Sequence, residues 1–207
     1  MRLVACLALC SLLVAGCSGS LFESKLPIVT VYVLSPSPSA SAGPTNAAVN
    51  ADIAVGHPIV APGLDTDRIA VLKGHVLDYY AGASWGATAS VVMQSFLIGS
   101  IQNQQLFRGV ATEDARVASD YLLDIELTHF QAEYPNGEVP SVHVGLVGRV
   151  VRVKDRRLVA TIPVEATEPA AQNQLSAVVA AFEKASREVA VTLAQKTSAE
   201  LSGTHQS

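Results

Sequence analysis

Asp120-Tyr121-Leu122-Leu123-Asp124-Ile125-Glu126-Leu127-Thr128-His129-Phe130 decides the fold. Leu123, Ile125 and Leu127 alternate with Asp124, Glu126 and Thr128, and a period of two gives a strand one buried and one solvated face. Downstream, Pro135-Asn136-Gly137 predicts a turn, and Val142 to Val153 resumes as a long strand rich in valine. Asp155-Arg156-Arg157 predicts a second turn into Leu158 to Ala166, so the three runs read as an antiparallel meander. Leu175, Val178, Val179, Phe182, Val189 and Leu193 then recur at helical spacing, with Glu183, Lys184, Arg187 and Glu188 elsewhere around the wheel, which predicts an amphipathic helix.

Upstream of the alternating run, Trp85, Ala89, Val92 and Phe96 fall on one helical face, with Ser84 as the expected N-cap and an end near Asn103 to Phe107. Val91, Met93, Leu97, Ile98 and Ile101 widen the apolar face, so this helix must be well covered. Shorter strands are expected at Thr30 to Leu34, Asp52 to Val60, Ile69 to Leu72 and His75 to Tyr80. Ser35 to Asn50, rich in Ser, Pro and Ala, reads as a flexible loop. Strands, helix, three strands and helix in this order predict one α/β domain, a mixed β-sheet flanked by two helices.

The chain has 207 residues, 49% hydrophobic and 15% charged, and a formal charge of −4, which fits one hydrophobic core. Its Lys and Arg residues are scattered, a pattern that speaks against a nucleic-acid partner. All three cysteines, Cys6, Cys10 and Cys17, lie within the first seventeen residues, so the domain can have neither a disulfide nor a thiol nucleophile. Arg2 and the apolar run Leu3 to Ala15 form the pattern of an export signal, too short for a helix of about 20 residues to span a bilayer. An ordinary secretory signal cleaved nearby, with Cys17 incidental, is the alternative.

Leu13-Val14-Ala15-Gly16-Cys17 resembles the lipobox of bacterial lipoproteins. The resemblance implies cleavage between Gly16 and Cys17, a diacylglycerol on the Cys17 thiol and an acyl chain, such as palmitate, on the new amino group. Two or three chains give a stable anchor where one is marginal. Ser at position 18 implies the outer membrane by the lipoprotein sorting rule. The expected organisation is a signal peptide at 1–16, a lipidated N-terminus and tether at 17–27, a domain at 28–200 with the loop at 35–50, and a polar tail at 201–207.

Taken in order, the lipobox, Tyr32-Val33-Leu34, Leu64 to Ile69 entering an apolar strand, Trp85 before a long apolar helix, Asp120-Tyr121-Leu122-Leu123, the valine-rich hairpin and the alanine-rich C-terminal helix resemble the auxiliary lipoproteins of ABC-type transport systems. These work with mammalian-cell-entry-type (MCE) lipid-binding proteins. The resemblance spans nearly the whole mature chain and implies a fold similar to the N-terminal domain of the periplasmic protein TolB. It further implies a noncatalytic role beside an MCE-type protein and an ABC permease and ATPase, in transport of phospholipid or other apolar molecules between membranes, with phospholipid as a candidate ligand and no cofactor. Two other readings are a scaffold that tethers an envelope complex without touching substrate, and an envelope hydrolase with an unrecognised site.

Little in the chain points to chemistry of its own. There is no Gly-rich loop followed by Lys, and no Gly-x-Ser-x-Gly elbow. His57, His75, His129, His143 and His205 form no pair at helical or finger spacing, so no metal site is read from them; His129 and His143 could still approach each other across the hairpin. Asp65 and Asp67 open like a calcium loop but lack its later ligands, and capping aspartates in a turn explain them better. Trp85, Phe96 and Phe182 are read chiefly as core, the sharper alternative being an apolar groove between the helices for lipid or a partner helix.

Overall fold

A thirteen-residue strand, Tyr121–Glu133, is the spine of the molecule. The computed structural model describes residues 29–36, 49–115, 117–135 and 137–204. Gly16, Cys17, the segments 1–16 and 17–27, most of the expected loop at 35–50, Asn136 and residues 205–207 lie outside the described residues.

The strands are β1 (Thr30–Tyr32), β2 (Val49–Val55), β3 (Ile59–Val60), β4 (Arg68–Lys73), β5 (Val76–Trp85), β6 (Phe107–Thr112), β7 (Tyr121–Glu133), β8 (Ser141–Arg152) and β9 (Arg157–Pro169). The helices are α1 (Ala89–Asn103) and α2 (Leu175–Thr204), with a short 3-10 turn at Glu113–Ala115. The nine strands make a single mixed sheet. One edge of β7 pairs antiparallel with β8, which pairs in turn with β9, giving the expected meander. The other edge is taken in succession by three parallel partners: β2 at Ile53–Val55, β3 at Ile59–Val60 and β4 at Val71–Leu72. Beyond them, β6 lies parallel to β2, while β5 pairs with β4 and carries β1 on its far side.

Alternation in β7 buries Leu123, Ile125 and Leu127 completely, as the sequence predicts. A bulge between Leu127 and His129 then shifts the phase, so that Phe130 and Ala132 continue the buried row while Thr128 and His129 both turn to the opposite face. On β8, Val142, Val144, Leu146 and Val150 face inward, and Gly148 among them lets α2 settle against the sheet. A Cβ at Gly148 would stand 2.6 Å from Leu193 Cδ1.

Both helices pack on this face and touch each other around one continuous core. The other face of β7 to β9 carries the polar residues. α2 runs for 30 residues, about 45 Å at the α-helical rise. Ala181, Ala185, Ala190 and Ala194 line its buried side with Phe182, Val189 and Leu193. Small side chains at this spacing let a helix lie close to a sheet. Among the described residues, no helix is long and apolar enough to cross a membrane.

Four expectations are corrected. Ser84 and Trp85 belong to β5, and α1 begins at Ala89 with Thr88 at the N-cap. Parallel pairing of Tyr32 with Trp85 and a hydrogen bond from Trp85 N to Asp67 O keep the chain extended there. Asp65 instead supplies the cap, its Oδ1 accepting from Ser90 N at 3.2 Å. The run Asp52 to Val60 is two strands rather than one, and β6 follows α1 where no strand was expected, a short edge strand containing Arg108 and Gly109. The expected polar tail begins later than residue 201: α2 continues to Thr204, and Leu201 is fully buried.

Candidate functional site

The polar face of the meander gathers its charged groups in two places. Arg149 on β8 pairs with Glu126 and stands 3.6 Å from Asp124, both on β7, so one guanidinium ties two carboxylates across the strands. Further along the same face, the His129 and His143 rings stack with centroids 4.1 Å apart and planes 14° from parallel. His143 Nδ1 is 3.3 Å from Glu133 Oε1 and its Nε2 is 3.5 Å from Glu165 Oε2. Gln131 Nε2 donates to Glu133 Oε1 at 2.8 Å, and His129 Nδ1 lies 3.1 Å from Thr128 Oγ1.

Two local devices create this cluster. The bulge in β7 brings His129 out of the inward row, and Gly145, its partner on β8, leaves the space the ring occupies. A Cβ on Gly145 would lie 3.0 Å from His129 Nδ1 and 3.1 Å from Thr128 Oγ1. Partial burial pushes His129 below the usual histidine range, and the neighbouring His143 adds to this, while Glu133 and Glu165 oppose it. Ring nitrogens of His129 and His143 and a carboxylate oxygen of Glu165 lie within 4.8 Å of one another. The sequence held two signals for this convergence, the three-residue step from Leu127 to Phe130 in an otherwise alternating strand and Gly145 opposite it.

A second polar knot closes the end of the sheet where β2, β6 and β7 meet. Arg108 reaches Asp52 through Nε to Oδ1 at 3.0 Å and Nη2 to Oδ2 at 2.5 Å, and extends Nη2 to Asp120 Oδ2 at 2.9 Å and Nη1 to Asn50 Oδ1 at 3.1 Å. Asp120 Oδ2 also accepts from Asp52 N at 2.9 Å. The Arg108 hydrogen bonds hold the Asp52 carboxyl below its usual range, against a smaller effect of desolvation. Gly109 is required beside it, since a Cβ there would meet Asp52 Oδ1 at 2.7 Å. Next to the knot lies an open cleft of about 480 Å³, bordered by Ser119, Tyr121, Arg152 and Lys154. Sequence reasoning missed this network because its members come from β2, β6 and the approach to β7, and no local spacing joins them.

The three aromatics singled out in the sequence lie elsewhere. Trp85, Phe96 and Phe182 are each at most 2% exposed. Trp85 and Phe182 meet edge to face at 5.1 Å, and Phe130, not singled out beforehand, completes the group at 5.5 Å from Trp85 and 4.9 Å from Phe182. With no surface to offer a ligand in this conformation, they act here by packing. Exposed apolar surface is found instead along the first edge strand and its flanks, at Val29, Val31 and Val33, the last two of them beside Gly86.

Comparison with known proteins agrees with this architecture. Protein XCC0632 from Xanthomonas campestris, described as a member of the DUF330 family, superposes with a TM-score of 0.78 at 25% identity, over 86% of this chain and 100% of that one. A second crystal structure, of an uncharacterized protein, gives a TM-score of 0.65 at 13% identity, over 82% of this chain and 98% of the other. The hypothetical protein CT253 from Chlamydia trachomatis gives 0.51 at 4% identity, over 74% and 98%. The latter two likenesses concern the fold alone. No curated protein matches the chain. The family model described as "ABC-type transport auxiliary lipoprotein component" matches residues 32–194, from the first strand almost to the end of the last helix. On that match, the chain belongs to the family of ABC-type transport auxiliary lipoproteins.

Proposed function

We propose that the mature protein is a noncatalytic component of an MCE-linked ABC system that moves phospholipid or other apolar molecules between membranes, anchored by lipid on Cys17. The family match over residues 32–194 is the observation that carries this reading. The lipobox resemblance supports the anchor, and Ser18 supports the outer membrane as its site. Eleven residues lie between Cys17 and Val29, a reach of roughly 40 Å when extended. A tether of that length lets the domain stand clear of the headgroups and present its sheet edge to a partner. Energy for transport would come from the partner ATPase, in keeping with the name of an auxiliary component.

The test is mass spectrometry of proteins and lipids that copurify with the detergent-extracted chain, with Cys17→Ser in parallel. An MCE-type protein or ABC permease recovered with the chain is the expected result, together with a diacylglyceryl group on the N-terminal peptide. Unmodified Cys17, or a native extract in which no transport component accompanies the chain, would count against the reading. Lipid retained by the soluble Cys17→Ser protein would show that the domain handles lipid itself.

A further inference from the structure

We propose that His129, His143 and Glu165 form a binding site for a borderline divalent transition metal such as zinc on the polar face of the sheet. The three residues come from β7, β8 and β9, so an ion held by them would join three neighbouring strands. Two imidazoles and a carboxylate are a donor set that suits zinc, with a fourth position left for water or a partner's side chain.

The surroundings are those of a prepared site. A ligating histidine commonly uses one ring nitrogen for the metal and gives the other to a carboxylate or hydroxyl that fixes its orientation. Here Nδ1 of His143 faces Glu133, itself held by Gln131, and Nδ1 of His129 faces Thr128. Nε2 of each ring is then the atom available to an ion, and Nε2 of His143 already stands 3.5 Å from Glu165 Oε2. Ligands about 2.0–2.1 Å from a tetrahedral zinc are roughly 3.4 Å from each other, so this pair needs almost no movement. The full set spans up to 4.8 Å, and loading requires one ring to tilt out of the stack. Glu165 is 73% exposed and free to follow. His143 reaches this face by the regular alternation of β8, but an ordinary alternating strand facing an ordinary residue would not place the His129 ring beside it: the bulge brings His129 to this face, and the missing side chain of Gly145 makes room for it.

Isothermal titration of the full-length chain with zinc chloride, untagged, in detergent and stripped of metal by chelator, tests the site. Saturable uptake of one ion per chain is expected, with affinity at least about tenfold lower in His129→Ala and His143→Ala. Glu165→Gln should weaken uptake too, and His75→Ala, an exposed histidine of the β4–β5 turn that is not one of the three ligands, should leave it unchanged. Substitution with cobalt should give the visible absorption of a low-coordinate nitrogen and oxygen site, and zinc should raise the unfolding temperature of the wild type but not of the His129→Ala/His143→Ala double variant. If His129→Ala fails to fold, His143→Asn and Glu165→Gln carry the test, with circular dichroism confirming their structure. No saturable uptake at about 0.1 mM zinc, or uptake unaltered in the folded variants, would overturn the proposal.

Discussion

Gly148 shows how much a single absent side chain can settle. It lies in the inward row of β8 directly beneath Leu193, which is fully buried, so an added methyl group has no free volume to displace that leucine into. Gly148→Ala should cost about 1–3 kcal/mol by overpacking, read as a lower denaturant midpoint at unchanged slope. An unchanged midpoint would mean that α2 can shift from the sheet without penalty. Asp52 gives a prediction of a different kind. Its carboxyl titrates below its usual value near 3.8 because Arg108 stabilises the ionised form. The contribution is present above that value and is lost as pH falls through the lowered pKa, where the folded state must take up the proton. Acid unfolding of the wild type should therefore steepen below about pH 4, and Asp52→Asn should flatten that limb. Equal acid limbs would show that solvent screens the pair completely. At this scale the sequence was informative about chemistry type but silent about proximity: His129 and His143 are fourteen positions apart, and only the register of β7 on β8 stacks them.

Elements were legible where a period ran long enough to average out local exceptions. β7, β8, β9 and α2 were all visible as patterns, since each buries one face for many residues. The start of α1 was misplaced because Trp85 is apolar at the right spacing for a helix, yet the chain at that point is held extended by β1 and by Asp67 O. Hydrophobic spacing reports which side chains are buried, and a core filled from both a strand and a helix satisfies the same count. Capping shows the same limit. The residue that supplies the side-chain oxygen to the first turn of α1 is Asp65, twenty-five positions upstream, rather than its local N-cap Thr88, which makes no such bond. Asp65→Ala should lower stability by about 1 kcal/mol and loosen amide protection at Ser90. No change in either would reduce the contact to an incidental one. The edge strand β6 escaped notice because a six-residue run broken by Arg108 and Gly109 has no periodicity to read, and parallel pairing with β2 alone defines it.

At the scale of the molecule, the family match and the sheet order describe the same object, since the matched residues begin at the first strand and end in the last helix. The order in which that object can assemble follows from its spine. β2, β3 and β4 all seek the same edge of β7, and that edge lies roughly sixty to seventy residues further along the chain. Loops of that size must close before any of these parallel ladders is rewarded, whereas β7, β8 and β9 are joined by short turns. Pulsed hydrogen exchange during refolding should accordingly show protection in β7 to β9 before β2 and β3; simultaneous protection would contradict this sequence of events. A chain that emerges from a ribosome or a membrane pore with its N-terminus first thus delivers three customers before the counter they need. Until residue 133 has passed through, the leading part can pair β4 with β5, β1 with β5 and β2 with β6 and wind its own helix, but it has no central strand to join these pieces, and it waits in a pliant, threadable state whose apolar strands need shielding from one another.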